Sequence, residues 1–353
     1  MKRREILRRM ALAGGIFVIG CEAAKAPTEE KPELEKEEPE KPEPEKEEPK
    51  EEKPEKEKVV VVKGTDRDRG IRKALELLGI GAISWNNVVL KPNFNSADPF
   101  PGSTHNDTLS TIIKWLKERK VERITVADRS GMGATRSVMS SKGIFALSKE
   151  LGFDVVVIDE IPQDGWEQRD IPGGHWRRGV RFPKLFLEAD SIIQTCCLKT
   201  HRFGGHYTIS LKNSVGMIAK YGPDGYDYMN ELHSSPNMRK MIAELNTLYS
   251  PAFVIMDGIE AFVDGGPDKG TIARPEVIVA GKDRIAVDAV GVAILRMFGT
   301  TYEVSRGRIF ETEQIARAVE LGIGVKGPEM IELVAEDQAS KDFASKIEEI
   351  LKA

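Results

Sequence analysis

Seven runs rich in β-branched and other apolar residues, at 59–62, 87–90, 124–127, 155–158, 191–198, 253–256 and 277–280, show no regular alternation with polar residues. A strand with one wet face alternates; a run without alternation needs cover on both faces, and a parallel sheet between helix layers supplies it. The amphipathic stretches 71–78, 109–119, 136–151 and 238–248 predict the covering helices. The expected fold is α/β: an open, mostly parallel sheet with helices on both faces, over residues 59–353. Residues 165–182 interrupt the rhythm with Trp166, Pro172, Gly173, Gly174 and Trp176, which predicts a small inserted segment. From residue 284 onward the pattern is mostly helical, with 331–334 read as an edge strand, and no repeat of solenoid period is present.

What precedes residue 59 has a different composition. Residues 22–58 hold 16 Glu, 9 Lys and 7 Pro with one large apolar residue, Leu34, so this stretch cannot bury a core and is expected to be an extended, self-repelling linker. Before it, Arg3 and Arg4 precede an apolar run from Met10 to Gly20 that is shorter than the roughly 20 residues of a membrane-spanning helix. Residues 1–21 read as a signal peptide. The paired arginines resemble a twin-arginine signal, although Ile6 stands where Phe is usual, and the general secretory route is the alternative. Val18-Ile19-Gly20-Cys21 matches a bacterial lipobox, with Cys21 the expected lipidation site. The expected location is the bacterial cell envelope, outside the cytoplasm, with the membrane, through this lipid anchor, and the export machinery as partners.

From Val59 onward 38 Lys and Arg face 39 Asp and Glu, so the body is neutral. It has no global positive field to draw it to a polyanion, and nucleic acid is not an expected partner. Polar residues instead follow the strand runs: Lys91-Pro92-Asn93, Asp128, Asp159, Lys199-Thr200-His201 and Asp257. In an open parallel sheet these carboxyl ends converge on one edge, where ligands bind. Helical spacing from Thr208 to Gly216 places Thr208 and Lys212 on one face, next to Asn213. Lys91, Asn93, Thr208, Lys212 and Asn213 are thus candidate ligand-binding residues for a small anion, and His201, Lys199 and Asp128 are candidate catalytic residues. Surface ion pairs are the competing explanation of the lysines.

His201, His206, His233 and Asp257 form a candidate set for a divalent metal, against histidines that simply hydrogen-bond a substrate or the backbone; no compact signature such as H-E-x-x-H is present. Residues 130–135, Ser-Gly-Met-Gly-Ala-Thr, form a strand-to-helix turn without a dinucleotide or Walker pattern. Gly265 to Gly270 reads as a lid or a plain connection. Cys196 and Cys197, adjacent in a strand, point to opposite faces and read as small buried hydrophobes; a thiolate role is the alternative.

The ordered set Lys91-Pro92-Asn93, Lys199-Thr200-His201, Lys212-Asn213 with Gly216, Asp257-Gly258, Gly266-Pro267 and Gly281-Lys282-Asp283 with Asp288 resembles the bacterial and archaeal family catalogued as domain of unknown function 362, over residues 91–324. The resemblance implies a single α/β domain that in relatives is often fused to a ferredoxin-like cluster domain. This chain has no repeated C-x-x-C, so a cysteine-ligated cluster of the ferredoxin type is not expected. The functional expectation is an exported, lipid-anchored enzyme acting on a small anionic ligand, its reaction and cofactor unknown; a lipoprotein that captures such a ligand without transforming it is the alternative.

Overall fold

The computed structural model describes residues 56–81 and 84–353. The signal peptide, Cys21 and nearly all of the linker lie outside the described residues. The first strand, β1 (Glu57–Lys63), takes in Glu57 and Lys58, the last two residues expected in the linker.

Among the described residues eleven strands follow it in chain order: β2 (Asn87–Lys91), β3 (Arg123–Asp128), β4 (Asp154–Val157), β5 (Trp166–Arg169), β6 (Val180–Pro183), β7 (Ser191–His201), β8 (His206–Thr208), β9 (Phe253–Gly265), β10 (Gly270–Ala273), β11 (Val277–Gly281) and β12 (Ile331–Val334). The main sheet runs β12-β1-β11-β9-β7-β2-β3-β4, with β8 paired to β7 and β10 to β9. It is the open, mostly parallel α/β sheet expected.

Of the seven expected strands, six run in one direction and β11 is reversed, antiparallel to both β9 and β1. The reason is connection length. β9, β10 and β11 follow one another through short turns, and a parallel return needs a crossover of a dozen or more residues. The glycine-rich segment at 265–270 is therefore a hairpin turn, with Gly266 at φ +60°.

Side chains of the central strands divide between two cores, as the runs without alternation require. Val59 and Val61 of β1, Val254 and Met256 of β9 and Val277 and Val279 of β11 enter one core with the helix Arg284–Met297. Their neighbours Val60, Phe253, Ile255, Ile278 and Ala280 enter the other, with α1 (Arg67–Leu77) and α2 (Asn106–Glu118). The helix expected over 136–151 is two, α3 (Thr135–Ser141) and α4 (Ile144–Leu151), broken where Gly143 turns left-handed at φ +71°. The inserted segment is a separate hairpin of β5 and β6; Trp166 and Trp176 bury against the helix Met238–Glu244, and the Trp176 indole donates to the Met241 carbonyl at 3.1 Å. β12 is the edge strand expected. Among the described residues no helix is long and apolar enough to cross a membrane.

Candidate functional site

The carboxyl ends of β2, β3 and β7 lie side by side because β2 pairs with both neighbours in parallel register. Lys91 ends β2 and Asp128 ends β3, and their charges meet at 2.6 Å with only 1–2% of either side chain exposed. The Asp128 carboxylate also accepts from the Phe94 amide at 2.6 Å and the Arg129 amide at 2.7 Å. Lys91 donates to Asn213 Oδ1 at 2.9 Å and to the Pro92 carbonyl. Burial pushes the Lys91 amine down and the Asp128 carboxyl up, against their mutual attraction. Gly216 fits over this pair only because it lacks a Cβ, which would sit 2.7 Å from Asp128 Oδ1 and 2.9 Å from Lys91 Nζ.

β7 runs on past the end of β2, still paired with β9, and folds back as a hairpin with β8, pairing Lys199 with Thr208 and His201 with His206. Strand parity puts Lys199 and His201 on one face, with Thr208 across from Lys199, while Leu198 and Tyr207 join the apolar core behind. Thr208 thus reaches the site from a strand, not from the helix its spacing suggested; the helix begins at Ser210 and ends at Asn213.

These residues line a cleft of about 600 Å³. Lys91, Asn93, Asp128, Lys199, His201, Thr208, Lys212 and Asn213, every expected catalytic and ligand-binding residue, lie on its wall, together with His233. The sequence reading missed Arg129, Asn95 and an apolar rim of Met132, Phe203 and Tyr221, all exposed. Arg129 directly follows a strand-end aspartate, the one signal that could have found it. It is buried and donates to the carbonyls of Ser130, Val215 and Ile218.

The cleft floor carries more positive than negative charge. Lys199 is fully buried and its amine donates to the Gly102 carbonyl. Among the described residues neither Lys199, Lys212 nor Arg129 lies within ion-pair distance of a carboxylate. Four buried polar atoms facing this region, Asn93 Oδ1, Asn95 Nδ2, His201 Nδ1 and Thr208 Oγ1, have no hydrogen-bond partner. Such groups cost about 1–3 kcal/mol each if left unsatisfied, so their gathering marks a place that a polar ligand completes.

The profile of the family described as domain of unknown function (DUF362) matches residues 88–293, which contain the whole cleft. The chain belongs to this family. No curated protein matches the DUF362 chain. Among solved structures, the lactate racemase apoprotein from Thermoanaerobacterium thermosaccharolyticum is similar over 82% of this chain and 85% of its own, at 13% identity and a TM-score of 0.41.

The DUF362 cleft does not gather the expected metal set. Among the described residues no three His, Cys, Asp or Glu side chains come together to hold an ion. Asp257 leaves the set because the first turns of α1 and α2 cover it: it pairs with Arg67 Nε at 2.8 Å and accepts from Thr108 Oγ1 at 2.6 Å. His206, held at φ +62°, lines a neighbouring cavity with Arg202, Asp264 and Glu303. His233 shares the cleft with His201, but the carboxylates on its wall, Asp128 and Asp227, do not converge with the two imidazoles on one point. Asp159 also stays outside, bonded to Thr135 and 3.5 Å from Lys220.

His201 is held well below the ordinary histidine range by burial, with Lys212 and Lys199 adding repulsion, so the ring is neutral at physiological pH. Asp128 has a positioning part: its oxygens already serve Lys91 and two backbone amides, leaving no free acid or base. Asn213 likewise bridges Lys91, Asn93 and the Thr195 carbonyl. Cys196 and Cys197 are buried free thiols, and burial pushes both up, away from thiolate chemistry.

Proposed function

We propose that this DUF362 chain is an exported, lipid-anchored enzyme that acts on a small organic anion held in the cleft. The carrying observation is the surplus of buried positive charge on its floor, which a bound anion neutralises. Lys199 has two protons free after its bond to Gly102, enough to grip one carboxylate or phosphate. Asn95 Nδ2 and Thr208 Oγ1 add neutral donors. The exposed Met132, Phe203 and Tyr221 at the rim favour an anion with an apolar portion over a bare inorganic ion. Neutral His201, with Nδ1 unpartnered, is the acid–base group.

Removing one charged hydrogen-bond donor costs about 1.5–3 kcal/mol. Lys199→Met is therefore expected to weaken binding of a carboxylate probe such as oxalate at least tenfold by calorimetry. Equal affinity in the variant would reject the anion site. Native mass spectrometry of the folded body addresses catalysis: a copurifying anion returned chemically altered supports the enzyme, whereas one returned unchanged supports capture.

The address is a separate part of the proposal, supported by the order of paired arginines, short apolar run, lipobox and charged linker. Cys21→Ser is expected to shift the protein from the membrane fraction to the soluble fraction and to abolish incorporation of labelled fatty acid. Unchanged labelling in that variant would place the lipid on another residue.

A further inference from the structure

Four lysines line the cleft, and three are committed, Lys220 to Asp159 at 3.5 Å. Lys91 is tied to Asp128 and Asn213, and Lys199 to the Gly102 carbonyl. Lys212, on the short helix after β8, makes no hydrogen bond or ion pair among the described residues. It keeps some accessible surface, as a group reached by a ligand must, yet its amine is crowded by protein. Its position beside His201 depends on Gly205. A Cβ there would lie 2.6 Å from Lys212 Cε and 2.9 Å from His201 Nδ1, so the missing side chain leaves room for both groups to flank one point.

We propose that Lys212 is a nucleophile that forms an imine with the carbonyl carbon of a small 2-oxo carboxylate, its carboxylate gripped by Lys199. The proposal rests on the anion site described above. Burial, with repulsion from Lys199 and Arg129, lowers the amine to about 7, which leaves a useful share unprotonated near neutrality. The neutral amine adds its lone pair to the carbonyl carbon while the C=O π pair moves to oxygen. His201 takes a proton from nitrogen at its unpartnered Nδ1 and returns it to that oxygen. Loss of the carbinolamine hydroxyl together with the second nitrogen proton releases one water and leaves C=N. The two nitrogen protons and the carbonyl oxygen account for that water, and no oxidant is needed. Gly205 would be a specificity-determining position, because any side chain there would occupy the space between nucleophile and proton carrier.

The test treats the folded full chain with pyruvate and sodium borohydride, which reduces an imine to a stable secondary amine, and maps the adduct by peptide mass spectrometry. The expected result is a single dominant adduct on Lys212, at a rate that rises with pH through about 7. Lys212→Met, its fold checked by circular dichroism, is expected to lose it, and His201→Gln to slow trapping at least tenfold. Adducts confined to exposed lysines, or none, overturn the proposal. Oxalate calorimetry separates its failure from that of the anion site. Oxalate binding without a Lys212 adduct removes the imine and leaves the anion site standing. An adduct without oxalate binding leaves Lys212 a nucleophile but removes the anion site and with it the grip of Lys199 on the carboxylate, and absence of both removes both.

Discussion

Asp128→Ala is expected to cost about 3–5 kcal/mol of folding stability, the range for removing one partner of a buried ion pair. The variant leaves the Lys91 ammonium inside the protein with only neutral acceptors, Asn213 Oδ1 and the Pro92 carbonyl. It also strips the Phe94 and Arg129 amides of their acceptor. Lys91 cannot escape to water from its place at the end of a central strand, flanked by β3 and β7. The double variant Lys91→Met with Asp128→Leu removes the charges together and is expected to recover part of the loss, because the desolvation penalty disappears with the attraction. Recovery would be incomplete, since the two amides still lack an acceptor. Urea denaturation reads both: the midpoint falls in the single variant and partly returns in the double, with the slope unchanged. A single variant within about 1 kcal/mol of the parent would show that the pair does not hold β2 to β3.

Stability of the unliganded protein is expected to rise between about pH 7 and 10, with Lys212 as a separable cause. Its folded-state value is about 7, against about 10.4 for a free lysine. Between those values the unfolded chain binds a proton that the folded chain does not, so raising the pH favours folding. Full burial would make the effect about 5 kcal/mol, and the partial solvent access of the Lys212 side chain makes it smaller. Burial also lowers the Lys199 amine and raises the two thiols, so the readout is the difference between parent and Lys212→Met across the series. That difference should follow the sign above, and a pair of parallel profiles would mean that Lys212 is solvated like a surface lysine. His201 acts in the same direction at lower pH, since its depressed value makes acid unfavourable to the fold below the ordinary histidine range. A bound anion should flatten the Lys212 contribution, because it favours the charged amine in the folded state.

The class of fold was legible because strand burial leaves a local trace. Val59 to Val62 enter two opposite cores by simple parity, and only a sheet covered on both faces needs that pattern. The edge strand at residues 331–334 and the excursion carrying Trp166 and Trp176 were readable for the same local reason. Direction leaves less trace: the apolar run of β11 resembles the parallel runs, and its reversal follows from short turns whose geometry forms only in three dimensions.

The site divides in the same way. Lys91, Lys199, His201 and Lys212 could be nominated from residue type and position at strand ends or on a short helix, because backbone direction carries strand ends to one edge of a parallel sheet. Asp257 satisfies the same rule and still lies outside the cleft, since Arg67 and Thr108 come from helices far away in sequence and claim its oxygens. Sequence by itself determined the layered α/β architecture and the pool of polar residues, since side-chain parity and burial are written residue by residue. Tertiary structure alone decided which lysine is paired, which histidine is neutral and which aspartate is consumed, because charge partners and desolvation depend on neighbours far away along the chain, as Arg67 and Asp257, 190 residues apart, are.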